Sequence, residues 1–195
     1  MNPKHIGDIY DIVKQSLLRC LAGLGKWYAH PMFTAPFTEA QAREFGRLLG
    51  VPLLSAEVLT QGADRGAYLS VARACSGHLF LDPDTGVRLK LTRGKKAPAY
   101  LFGGELVDIA TRHPDLLTLV FDQALARGGE AAALGSKLEW LATQGLHGFA
   151  YQSHASFVLV GSDTLLVRKA QQALRCEGHL PESRFVERGG RTTSG

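Results

Sequence analysis

Two carboxylates, Asp82 and Asp84, stand either side of a proline in "HLFLDPDTGVRLK" (His78 to Lys90), where the apolar run His78 to Leu81 stops. Acids so spaced at a strand end can hold a hard cation, Mg²⁺ or Mn²⁺, through oxygen ligands. The ion then activates water or a phosphoryl group. Gly86 follows closely, and a glycine there lets the loop turn tightly or approach a bound ligand, which makes it a candidate cofactor contact. The same Asp-Pro-Asp-Thr-Gly run is also good turn chemistry, with Asx side chains bonding their own backbone. Turn and metal site are both open readings of this stretch.

A second constellation lies near the start, in "GDIYDIVK". Asp8, Asp11 and Lys14 recur at three-residue steps along one flank of a helix, away from the stripe formed by Ile9, Val13 and Leu17. An acidic first turn on a solvated face accounts for them through the helix dipole. The functional alternative brings Asp8 or Asp11 to Asp82 and Asp84 as a further ligand or base, with Lys14 balancing charge or touching phosphate. A third stretch, "TRGKKAPAY", offers Arg93, Lys95 and Lys96 to a phosphate backbone and Tyr100 to a base, against the plain reading of a solvated loop. His154, between two apolar runs, is a candidate general base or metal ligand, or a hydrogen-bonded histidine of the fold. Asp122 ends the apolar run "LLTLVFD" and can face the same cleft. Cys75 and His78 form a lone CxxH, too little for a structural zinc site.

The elements that must position these groups follow from periodicity. Ile6, Ile9, Val13, Leu17, Leu21 and Leu24 predict an amphipathic helix, and "KWYAHPMF" a short strand. A helix from Thr38 to Leu49 starts with Thr38 as N-cap and Gln41 three positions on, and stops at Gly50. Arg65 to Cys75 reads as a helix, His78 to Leu81 as a strand, Gly104 to His113 as a helix, and "LLTLVFD" as a central strand. Glu130 to Thr143 forms a long helix. "LHGFAY" and "ASFVLVG" form a hairpin, Ser162 or Asp163 caps a helix to Cys176, and "ESRFVER" adds an edge strand. Helices alternating with short apolar strands predict an α/β three-layer sandwich, mostly parallel, with an antiparallel hairpin near the C-terminus. Ligands in such folds sit beyond the carboxyl ends of the strands, where Asp82 and Asp84 fall.

A chain of 195 residues with 45% hydrophobic content fits one α/β domain, residues 1–187, followed by a polar, disordered tail, 188–195. Cys20, Cys75 and Cys176 are odd in number and far apart, so no disulfide framework is expected. No apolar run approaches the roughly 18 residues of a membrane span, and acids near the N-terminus replace a signal peptide's apolar core. A cytoplasmic protein with no membrane partner is the expectation. The net charge of +4 is compatible with an anionic partner, a nucleic acid or nucleotide, without demanding one.

Two enzyme motifs come near and miss. A haloacid-dehalogenase-type phosphatase places Gly before Thr after its acids, the reverse of Thr85-Gly86. A PD-(D/E)xK nuclease needs an acid where Arg88 stands. The segments "GDIYDIVKQSLLR", "FLDPDTG", "KKAPAYLFGGEL", "LTLVFDQALAR" and "HGFAYQSHASFVL" together resemble a little-characterised bacterial family of Rossmann-like proteins with a GDxxDxxK helix and a DPDxG strand end. The resemblance spans about Ile6 to Val160. The DP-containing strand end is loosely similar to methyltransferase-like proteins, including the three-Cys-motif partner group, where such a turn closes the substrate pocket. No glycine-rich loop follows the first strand, so S-adenosylmethionine is not expected. The first expectation is therefore a metal-dependent enzyme acting on phosphoester bonds, a nuclease or nucleic-acid-processing protein. Asp82 and Asp84 would serve as ligands, Asp8 or Asp11 as ligand or base, and Lys14 and Lys96 as phosphate contacts. The alternatives are a degenerate methyltransferase-like nucleic-acid-binding protein and a non-catalytic interaction module.

Overall fold

The first helix is set by its cap. Asp8 is extended (φ −71°, ψ 176°) and its carboxylate accepts from the Tyr10 and Asp11 amides, opening α1 at Ile9–Leu21. The computed structural model describes residues 5–125 and 128–190. The face that α1 buries is rotated from the one its apolar spacing predicts. Asp11, Lys14, Leu17, Leu18 and Leu21 are buried, whereas Ile9 and Ile12 are 65% and 43% exposed. A helix gives up apolar burial for a lysine and an aspartate only where partners receive them.

Strand β1 (Trp27–His30) follows, then α2 (Glu39–Leu49), which begins with the expected capping box. The Gln41 amide donates to Thr38 Oγ1 and the Thr38 amide to Gln41 Oε1. The helix expected over Arg65 to Cys75 is two single turns, α3 (Arg65–Tyr68) and α4 (Ser70–Arg73), separated at the fully buried Leu69. The chain continues through β2 (His78–Leu81), β3 (Gly86–Arg88), β4 (Tyr100–Phe102), α5 (Gly103–Ala110) and β5 (Leu117–Phe121). It ends with α6 (Glu130–Thr143), β6 (His147–Gln152), β7 (Ser156–Gly161), α7 (Thr164–Cys176) and β8 (Phe185–Val186). A 3₁₀ turn at Arg188–Gly190 packs near α6. The end of the tail, 191–195, lies outside the described residues, so the expectation of disorder there falls beyond them.

The molecule is mixed α/β with a mostly parallel six-stranded sheet in the order β1-β2-β5-β7-β6-β8. β1, β2, β5 and β6 share one direction, and β7 and β8 run against them. Each face carries its own apolar cluster. On one side Phe80, Leu119, Phe121 and Phe157 pack with Leu17, Leu21, Phe45, Val167 and Leu174 of α1, α2 and α7. On the other, Leu79, Leu81, Val120 and Val158 pack with Leu69, Leu106, Ile109, Leu134 and Leu138. Each leucine so buried contributes roughly 1.5–3 kcal/mol relative to its exposed state. A small second sheet pairs β3 with β4 in parallel, Gly86 opposite Tyr100. Its strands have three residues each, too short to leave a period in the sequence.

β2 is held in register from its start. His78 accepts the Leu117 amide at Nδ1 (3.0 Å), and its Nε2 lies 3.1 Å from the Leu24 carbonyl. That arrangement suits a neutral ring with the proton on Nε2, and burial pushes the ring's pKa down. No helix among the described residues is long and apolar enough to cross a membrane.

Candidate functional site

Strand alternation decides where the strand-end acids point. Phe80 faces α1, so Asp82, two residues on, faces α1 as well. Phe121 also faces α1, so Asp122, one residue on, faces the opposite side. Each acid meets a buried lysine. Lys14 Nζ of α1 donates to Asp82 Oδ2 at 2.9 Å, and Lys137 Nζ of α6 to Asp122 Oδ2 at 2.5 Å. Asp122 Oδ1 also accepts from the Val87 and Ala124 amides, which fastens β3 to the end of β5. Asp122 is thus a brace on the far face and not part of the cleft at Asp82.

Lys14 joins two distant parts of the chain. Its ammonium donates to Asp11 Oδ1 at 3.0 Å as well as to Asp82, so those two carboxylate oxygens lie within about 6 Å of each other. The Gly7 amide donates to Asp11 Oδ2 (2.9 Å), and the Phe121 ring centroid lies 4.7 Å from the ammonium. The Asp82 amide donates to the His30 carbonyl, which fixes the base of its side chain. The three charged side chains are at most 5% exposed.

Burial works against the Lys14 ammonium, but Asp82 and Asp11 outweigh it and raise its pKa, so it stays charged. Burial raises the pKa of Asp82, and Lys14 offsets only part of that rise. Physically, two carboxylates and one ammonium leave a net negative charge in a place with little water. A proton on Asp82 removes that charge, which equips it for acid–base work.

Above this triad lies a cavity of about 300 Å³ lined by His5, Asp8, Tyr10, Asp11, Lys14, Asp82, Pro83, Asp84, Phe121 and Gln123. It sits where β2 and β5 end, the location expected for a ligand site. Asp8, Asp11, Lys14, Asp82 and Asp84 therefore come together as the functional reading of "GDIYDIVK" requires. Asp84 is exposed and Asp8 half-buried at its rim, and Asp11 and Asp82 are buried at its base. His5, Tyr10, Phe121 and Gln123 carry no motif of their own. Only Phe121, ending a strongly apolar run beside a strand-end acid, gives a sequence signal.

Other expected residues lie elsewhere. His154 is exposed in the turn between β6 and β7, at the same end of the sheet, and does not line the cavity. Lys96 is exposed in the loop before β4, also outside it. Tyr100 is only 8% exposed and has the Arg88 guanidinium 4.0 Å over its ring, so it cannot stack on a base as its position in "TRGKKAPAY" suggested. Gly86 serves the fold. Its φ is +131°, and a Cβ there would lie 2.7 Å from the Gln123 amide nitrogen and against Asp122 Oδ1.

The donor set limits what cation the cavity can take. Among the described residues no group of three or more His, Cys, Asp or Glu side chains is placed to hold one ion. The Lys14 ammonium already fills the position between Asp11 and Asp82, so an ion bridging those two would have to displace it. The rim carboxylates Asp84 and Asp8 suit a hydrated ion such as Mg²⁺, which keeps several waters and takes one or two carboxylates. No family model, no curated protein and no solved structure matches the chain.

Proposed function

We propose that this cavity is the active site of an enzyme acting on phosphoester bonds with a divalent cation. The observation that carries the reading is convergence. Acids from the start of α1 and from the end of β2 meet around Lys14, itself 68 residues from Asp82 in sequence, in one cavity beyond parallel strand ends. In this reading Asp84 and Asp8 hold a hydrated Mg²⁺ or Mn²⁺, which would supply charge neutralisation and an activated water. Asp82, pushed by burial toward its protonated form, exchanges a proton at the cavity base. Lys14 is given to the carboxylates and orients them, so the phosphate contact expected of it passes to other residues. The fold that accompanies this reading is a three-layer Rossmann-like sandwich with β6 and β7 as its hairpin. Apolar clusters on both faces of the sheet support it. The GDxxDxxK and DPDxG segments, two of those that carry the family resemblance, supply most of the cavity's lining, and Phe121 and Gln123 come from a third.

Cation titration followed by thermal shift, with hydrolysis of bis(p-nitrophenyl) phosphate, tests this. Mn²⁺ or Mg²⁺ at 100 times its Kd should stabilise the wild type by about 2.7 kcal/mol, and Asp84→Asn should lose most of that gain. Hydrolysis should vanish with EDTA and in Asp82→Asn. If neither cation stabilises the protein nor supports turnover, the Lys14 triad is a structural ion pair and the interaction-module reading takes over. Stabilisation by S-adenosylmethionine alone would favour the degenerate methyltransferase-like reading.

A further inference from the structure

The chain's positive charge is concentrated in one place. Between Asp84 and Glu105 there is no acid, while Arg88, Lys90, Arg93, Lys95 and Lys96 supply five positive charges against a whole-chain net of +4. The rest of the protein is therefore nearly neutral. All five side chains are exposed, and the segment leaves directly from Asp84 on the cavity rim. The run is anchored at both ends. The Val87 amide is tied to Asp122 (2.9 Å), and Arg88 lies over Tyr100 and donates to its hydroxyl (3.0 Å). Arg65 beneath the loop donates to the Tyr100 carbonyl (2.8 Å) and pairs with Glu105 (2.6 Å), so its charge is already spent. Thr92, Arg93 and Gly94 border a second cavity of about 310 Å³. The strip is a set of exposed cations on a segment that carries no acid of its own.

We propose that the Arg88–Lys96 strip is a sequence-independent docking surface for the phosphate backbone of a nucleic acid. Backbone neutralisation needs exposed Lys and Arg at intervals and no base-reading groups, which matches a strip whose aromatic residue is buried. An anionic membrane would want apolar side chains among the cations, and Leu91 is the single exposed large one in this segment among the described residues. A strand lying on the strip passes Asp84, which delivers a phosphodiester to the acidic cavity. That link to turnover rests on the cation-dependent reading above; binding itself needs neither cation nor chemistry.

Fluorescence anisotropy with labelled mixed-sequence 20-mers, single-stranded and duplex, in EDTA across 50–300 mM KCl, tests the surface. The wild-type log K should fall linearly with log[KCl], with about 0.7 of slope per single-strand phosphate contacted or 0.9 per duplex phosphate. The triple variant Lys90→Gln/Lys95→Gln/Lys96→Gln should bind at least tenfold more weakly at 50 mM KCl. Its slope should be shallower by about two, at unchanged Tm. Three results overturn the proposal: no salt-dependent binding to either oligonucleotide; an equal loss from Arg168→Gln/Lys169→Gln, on exposed positions of α7; or binding to phosphatidylglycerol vesicles but not to DNA. Because EDTA is present throughout, failure here leaves the cation result standing, and failure of the cation experiment leaves this one standing.

Discussion

Replacing Lys14 by Met keeps most of the side chain's volume and removes its charge. Two short charge-assisted bonds, to Asp11 and Asp82, go with it, and both carboxylates stay behind with almost no exposure. Breaking a buried pair in this way costs roughly 3–5 kcal/mol, because the abandoned charges have no water to turn to. For a chain of this length each kcal/mol moves Tm by about 2–4 °C, so Lys14→Met should melt roughly 6–20 °C lower at pH 7. The pH dependence separates charge from packing. Without the ammonium, the already raised pKa of Asp82 rises further, and a carboxyl with a higher pKa folded than unfolded favours folding as pH falls. The gap between wild type and variant should therefore be widest at neutral pH and should narrow toward the unfolded carboxyl value of 3.8. Urea unfolding at pH 7 and pH 5 measures it. Adding Asp82→Asn to Lys14→Met should recover about 1–2 kcal/mol at pH 7, since one stranded charge is gone. A loss under about 1 kcal/mol, or a gap that does not change with pH, would refute the claim that the triad is held by charge.

Two further perturbations probe the supports of the cavity. His30, at the end of β1, is fully buried, neither ring nitrogen has a hydrogen-bond partner among the described residues, and burial lowers its pKa from 6.5 to about 4. The unfolded chain takes the proton first, so about 3 kcal/mol of stability should drain away as pH falls from 6.5 to 4. His30→Phe should flatten that slope in urea unfolding, and an NMR titration of the wild-type ring near its ordinary value would contradict the argument. Gly86→Ala forces a Cβ onto a positive-φ position and against the Asp122 brace, so it should cost at least about 2 kcal/mol by urea unfolding. Wild-type stability in that variant would show that β3 can move away from Asp122.

Local pattern made much of the fold legible. Thr38 with Gln41 marks the start of α2, a strongly apolar run marks β5, and the span of α6 is the one its composition predicts. What escaped was set by distant partners. Asp11 and Lys14 carry every mark of a solvated helix flank, and only a carboxylate 68 residues away turns that flank inward. Arg65 to Cys75 has the composition of a helix, but burial of Leu69 divides it into two turns. β3 and β4 exist because each supplies the other with a parallel neighbour, a condition no window of sequence contains.

The same limit applies to the acids at the ends of β2 and β5. In sequence Asp82 and Asp122 look equivalent, each closing an apolar run. The two-residue alternation of a strand separates them, because Asp82 falls in phase with Phe80 while Asp122 falls out of phase with Phe121. Adjacent parallel strands thereby send equivalent carboxylates to opposite faces, where lysines of α1 and α6 neutralise them in the same way. A cavity opens beside Lys14, whereas on the other face Asp122 is taken up by Lys137, the Val87 amide of β3 and the Ala124 amide. A buried lysine–aspartate pair at a strand end is thus not itself the mark of a site. The cavity is what distinguishes the two, so the proposed chemistry falls to Asp82 while Asp122 braces β3 against the end of β5.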